Sequence, residues 1–213
     1  MINRDFCNSE FLLEVLERLD NNALILLDDG SLAFGWIGEA DDCVLKVFPP
    51  INTAEITQAV YRPAPASPNA KEILANKVLL ECEDIAQVIF GPFPALPFAL
   101  SDAPVTRNVY PARSKDFSTE SSNDLEELAE AVEVLEGRNI GIETLGSWRT
   151  GGRLLEIHDC SILLTVGSET IAPLIVSGTI TVFGLALPAK GIVLSGEYHN
   201  VINIGALTGV VNP

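Results

Sequence analysis

His158 and His199 are the only two histidines in the 213-residue chain, and Cys160 stands two positions beyond the first. Imidazole nitrogen and thiolate sulfur are zinc ligands, and a tetrahedral site needs one more donor, for which Asp159 or Glu197 is at hand. Residues two apart on a strand share a face, so His158 and Cys160 can address one metal together. Cys160 with His199 is also the one nucleophile-and-base combination on offer, since the chain carries no Gly-x-Ser-x-Gly elbow and no phosphate loop. The plainer account is a small buried apolar cysteine, because Cys160 has a counterpart in Cys43, which has no histidine near it.

Carboxylates are paired at Asp28-Asp29 and Asp41-Asp42. Oxygen-rich turns can hold a hard cation. Consecutive hairpin turns lie at opposite ends of their strands, however, and aspartate is an ordinary turn residue. Trp36 and Trp148 occupy corresponding places in two similar stretches. If exposed, they offer a stacking or partner surface together with Asp41 and Asp42; if buried, they are core. No motif calls for a cofactor.

The elements that must position these groups are mostly strands. Phe11, Leu12, Val15, Leu16 and Leu19 recur at helical spacing and predict a first helix over 9–19, capped by Asn8 or Ser9. Strands are predicted at 23–27, 32–38 and 43–48, then 56–61, 78–82 and 86–90. A second helix over 123–136 ends at Gly137, placed to adopt a left-handed conformation. Further strands follow at 140–144, 149–157, 160–166, 179–185, 191–194, 201–204 and 208–211. The uncharged run from 170 to 189 is long enough to span a bilayer, but Pro173, Gly178 and Pro188 divide it, and its β-branched residues predict strands instead.

The two series correspond. Glu14-Val15-Leu16-Glu17 returns as Glu133-Val134-Leu135-Glu136, Gly30-Ser31 as Gly146-Ser147, and Asp42-Cys43 as Asp159-Cys160, at offsets of 116 to 119 residues. The closing strands match too: Leu79-Leu80-Glu81-Cys82 with Val201-Ile202-Asn203-Ile204, and Gln87-Val88-Ile89 with Gly209-Val210-Val211. The expected organisation is a first helix-plus-barrel unit over 1–110, a linker over 111–122, and a second unit over 123–213. The alternative is a single fused β-sandwich.

A helix, a strand with Leu24 and Leu26, the Asp29-Gly30 turn, a strand with Gly35 and Ile37, an acidic turn at Asp41, and Val44-Leu45 together resemble the Sm-like small β-barrel. Ile85–Ile89 and Leu207–Val211 are similar to the last strand of that fold. The resemblance implies a mainly β chain of two tandem Sm-like or SH3-like units. Gly30 would supply the positive φ of a tight hairpin, and Gly35 would let a strand bend at a barrel corner. RNA binding is the activity it would suggest, but neither copy has the Asn after the acidic turn or the Arg-Gly pair of the Sm-like RNA site.

Composition narrows the partners. Thirteen basic residues against twenty-nine acidic ones give a formal charge of −16, the wrong sign for binding phosphate backbones. After Arg153 the only Lys or Arg is Lys190. Four cysteines with no Cys-x-x-Cys spacing, and an N-terminus without a signal-peptide core, point to a cytoplasmic protein with reduced thiols. The second half is apolar up to Val210-Val211, so its surface is expected to meet the first half or another subunit. The favoured function is a non-enzymatic assembly protein that pairs with itself or another protein, away from membranes. The alternatives are an RNA- or nucleotide-binding module, and a metal or small-molecule enzyme using His158, Cys160 and His199.

Overall fold

A computed structural model describes residues 4–41, 43–53, 56–64, 71–98, 100, 105–106, 129–165, 174–177, 179–182, 185–188, 192–194 and 196–211. Helix α1 spans Arg4–Leu16. It is followed by β1 (Asn22–Leu27), β2 (Leu32–Asp41), β3 (Val44–Phe48), β4 (Ala59–Arg62), β5 (Ile73–Ala75), β6 (Val78–Glu81), β7 (Ile85–Gly91) and β8 (Val105–Thr106). A helical turn at 129–133 precedes β9 (Asn139–Thr144), β10 (Trp148–His158), β11 (Ser161–Thr165) and β12 (Leu174–Ser177). The chain closes with β13 (Thr179–Val182), β14 (Leu185–Pro188), β15 (Ile192–Leu194), β16 (His199–Asn203) and β17 (Leu207–Val211). The predicted linker lies outside the described residues, as do Leu125 and Leu128 of the second predicted helix.

Local chemistry accounts for the turns. Gly30 takes φ +86, and Asp29 Oδ1 accepts hydrogen bonds from the Ser31 amide at 2.7 Å and its hydroxyl at 2.5 Å. Gly137 ends the second helical segment at φ +77 as expected. α1 departs from expectation, beginning at Arg4 instead of Ser9. Asn8 therefore sits inside the helix, 4% exposed, and its side-chain oxygen accepts from Asn203 Nδ2 at 3.1 Å. A contact across 195 residues has replaced the predicted cap.

Fifteen of the described strands form one open sheet, antiparallel except where β5 meets β8, while β13 and β14 form a separate hairpin. The uncharged run thus contributes strands, and no described helix is long and apolar enough to cross a membrane. Within the first half the strands pair in the order β6-β3-β2-β1-β7; within the second, in the order β16-β11-β10-β9-β17. β4 and β5 extend the first series from β2, and β12 and β15 extend the second from β10. The two series are continuous because β7 pairs with β16, joining His199 to Phe90 and Ile202 to Gln87.

Side chains alternate across a pleated strand, so β1, buried along its whole length, feeds two apolar layers. Leu24 and Leu26 join Phe34, Ile89, Ile142, Leu154, Ile162 and Ile202 in one layer. Ile25 joins Phe11, Val15, Leu45, Val88, Leu163 and Val201 in the other. Each layer draws on both halves of the chain, so the sheet and its cores run unbroken across the expected unit boundary.

Candidate functional site

The β7–β16 seam is the most elaborated region of the molecule. Gln87 on β7 is fully buried, the one amide in the run Ile85-Ala86-Gln87-Val88-Ile89. Its Nε2 donates to Thr144 Oγ1 at 2.8 Å. Its Oε1 accepts from Thr150 Oγ1 at 2.5 Å and from Asn200 Nδ2 at 2.9 Å. Four buried polar side chains from β7, β9, β10 and β16 are thereby tied together, as burial demands of them. Asn203 forms a second knot. It donates to Asn8 on α1 and to the Ile85 carbonyl at 3.2 Å, and its Oδ1 accepts from the Gly205 amide at 2.9 Å.

The hairpin turns of the two halves meet beside this network. Trp148 donates its Nε1–H to the Leu27 carbonyl at 2.8 Å. Gly146 has φ +75, and a Cβ there would stand 2.4 Å from the Leu27 oxygen and 2.9 Å from Gly30 N. Only glycine allows that approach. The Gly30 and Gly146 turns, matched in sequence, are therefore packed against each other.

The tryptophans do not form an exposed stacking surface. Trp148 is 8% exposed and part of the core. Trp36 is half-buried against Phe48, with ring centres 6.0 Å apart, and donates Nε1–H to the Leu19 carbonyl at 2.7 Å. Asp41 ends β2, and Asp42 lies outside the described residues. The Asp28-Asp29 turn and Asp41 lie at opposite ends of the ten-residue strand β2, about 30 Å long if fully extended.

The metal trio does not converge. His158 pairs with Ser161 at one end of β11, whereas His199 pairs with Thr165 at the other. Cys160 falls in the turn after β10, not on a strand face shared with His158, and it is disulfide-bonded. A disulfide sulfur presents no thiolate to a metal or a substrate. His158 is half-exposed, with Nε2 3.5 Å from Glu156 Oε2 and 4.0 Å from Glu14 Oε2. Among the described residues no group of three His, Cys, Asp or Glu is arranged to hold a metal ion. Burial, assisted by the Arg18 charge, pushes the His199 imidazole below its ordinary value of 6.5.

The reduced-thiol expectation is also overturned. Cys43 and Cys82 form a disulfide with Cα atoms 5.2 Å apart across 39 residues. The absence of Cys-x-x-Cys spacing excludes local pairs but is silent on pairs made by folding. Disulfides persist in oxidising compartments, so a cytoplasmic location loses the support that free thiols gave it.

α1 and the β10–β11 turn enclose a groove of about 470 Å³, lined by Glu10, Leu13, Glu14, Glu17, His158 and Asp159 among others. Glu14 is paired with Arg18 at 2.5 Å. The groove is acidic and open, and Ile157, buried Ser161 and disulfide-bonded Cys160 complete its lining. The residues that hold the molecule together (Gln87, Thr144, Thr150, Asn200 and Asn203) were not singled out by their types. The available signal was a lone amide in an apolar strand, a placement that calls for partners. No known protein family, curated protein or solved structure matches the chain.

Proposed function

We propose that the chain is a non-enzymatic, self-assembling protein built from two Sm-like units, each a helix followed by five strands. One observation carries this reading: the pairing order β6-β3-β2-β1-β7 recurs as β16-β11-β10-β9-β17. Smaller correspondences support it. A 3-10 turn precedes the last strand of each series, at Cys82–Asp84 and Ile204–Ala206. Its first amide donates to the matching cysteine carbonyl in each half, Cys82 N to Cys43 O at 2.8 Å and Ile204 N to Cys160 O at 3.1 Å.

Both units meet through a strand ladder, and strand edges are the natural means of association for such sheets. The charge of −16 counts against an RNA-binding role, and the separation of His158 from His199 counts against a metal enzyme. The test is solution mass by light scattering at micromolar concentration. A self-assembling protein gives a multiple of the 22.9 kDa chain mass; a strict monomer refutes the reading.

A further inference from the structure

We infer that the groove between α1 and the β10–β11 turn docks a basic segment of a partner polypeptide, whose arginine side chains bridge the α1 carboxylates and the Ser161 hydroxyl. The inference goes beyond self-assembly and does not depend on it, since one chain supplies both walls of the groove. The first wall is a stripe on α1. Glu10, Leu13, Glu14 and Glu17 line the groove, at the three- and four-residue spacings that share one face of a helix. Phe11 and Val15, on the inner face, are 0% exposed. The second wall is the β10–β11 turn, where His158 Nε2 stands 4.0 Å from Glu14 Oε2 and Asp159 adds a further carboxylate.

Ser161 is the second, independent sign of a ligand. It is 3% exposed and yet belongs to the groove lining, so the little surface it keeps is groove surface. Along β11, Ile162 and Leu164 enter one apolar layer, and Leu163 enters the other with Phe11 and Val15. Alternation therefore points the Ser161 side chain toward α1, on the same face as Leu163. There its hydroxyl has no hydrogen-bond partner among the described residues. A hydroxyl buried without a partner costs free energy, and a donor seated in the groove would offset that cost.

The spacing of the charges selects a polypeptide over a single small cation. Glu10 and Glu17, both exposed and without a basic partner among the described residues, stand two helical turns apart, about 10 Å along the axis. Arginines three apart in a polyproline-type segment span about 9 Å on one side of that segment. Each guanidinium carries a planar fork of donors that suits carboxylates, and the Ser161 hydroxyl can accept one more bond. Leu13, 57% exposed, and Ile157 offer apolar surface to the methylene stems. Glu14 already holds the Arg18 guanidinium at 2.5 Å, the same pairing made within the helix. A metal ion is the poorer match, because among the described residues no three His, Cys, Asp or Glu are arranged to hold one. The chain charge of −16 favours the approach of a basic partner.

The probe is a fluorescein-labelled, end-capped Arg-Ala-Ala-Arg peptide, titrated with the full chain at low salt and followed by anisotropy. Wild type should bind it, and should not bind the same peptide with citrulline, the uncharged isostere, in place of both arginines. Ser161→Ala should weaken binding about tenfold or more, as expected for a hydrogen bond to a charged group. Its melting temperature should stay at or above that of wild type, because no partner is stranded; a merely structural hydroxyl would give a lower one. Glu10→Gln with Glu17→Gln removes two exposed ion pairs and should weaken binding about 2- to 30-fold. Glu130→Gln with Glu133→Gln removes the same charge from exposed positions flanking Val132, which packs in the other apolar layer, and should change binding by less than about twofold. The site is overturned if wild type fails to bind, if the citrulline peptide binds equally, if Ser161→Ala binds like wild type, or if the Glu130 and Glu133 pair matters as much as the groove pair. Arginine amide competing as well as the peptide overturns the polypeptide occupant. A monomeric chain that binds the peptide refutes self-assembly alone, and an oligomer that does not bind it refutes this site alone.

Discussion

Replacing Gln87 by leucine should destabilise the protein far more than the change in size suggests. The leucine fills nearly the same space, so cavity formation contributes little. It removes three hydrogen bonds, of 2.8, 2.5 and 2.9 Å, and strands their partners inside the core. Thr144 keeps a 3.2 Å bond to the Leu145 carbonyl, whereas the Thr150 hydroxyl and Asn200 amide lose the bonds they donated to Gln87. A stranded buried polar group costs about 1–3 kcal/mol, so two of them predict a loss of about 2–6 kcal/mol. That is a large part of the 5–15 kcal/mol typical of a folded domain. Urea unfolding followed by tryptophan fluorescence measures it, since Trp148 lies beside the network. The diagnostic is the triple variant Gln87→Leu, Thr150→Val, Asn200→Leu, which removes the stranded groups and should recover most of the lost stability. A Gln87→Leu midpoint within about 0.5 kcal/mol of wild type, the range of an inconsequential surface change, would refute the role given to the network. Simple additivity across the three substitutions would do so as well.

Replacing both Cys43 and Cys82 by alanine should cost about 4 kcal/mol, the loop-closure entropy of a bridge spanning some 40 residues. Thermal melts of the wild type and the double variant under oxidising conditions check this, and identical melts would show that the bridge does not constrain the unfolded chain. His199 gives a pH signature. Its folded value lies below 6.5 because of burial and Arg18, so the unfolded chain takes up the proton first. Its contribution is complete above pH 6.5 and declines as pH falls toward the folded value. His199→Gln should therefore flatten the stability–pH curve just below pH 6.5, and an unchanged slope there would exclude the effect.

The seam shows where sequence reading stops. The turn at Gly30 and most strand positions depend on residues within a few positions of one another, and these features appear in the fold nearly where expected. The His158–Cys160–His199 grouping depended instead on which ends of β10, β11 and β16 would meet, and register placed the two histidines at opposite ends of β11. Trp36 and Trp148 were legible as aromatic residues in matching strands, but their indole N–H groups are committed to the Leu19 and Leu27 carbonyls, which no local pattern encodes.

Sequence alone determined that this is a mainly β chain, because alternation, β-branching and glycine turns act locally. Only the tertiary structure decided that β7 pairs with β16, that Gln87 finds its three partners, and that Cys43 reaches Cys82. Those outcomes include contacts between residues more than a hundred positions apart. They depend on which register buries the most apolar surface while leaving the fewest polar groups unpaired, a balance that exists only once the whole sheet is assembled.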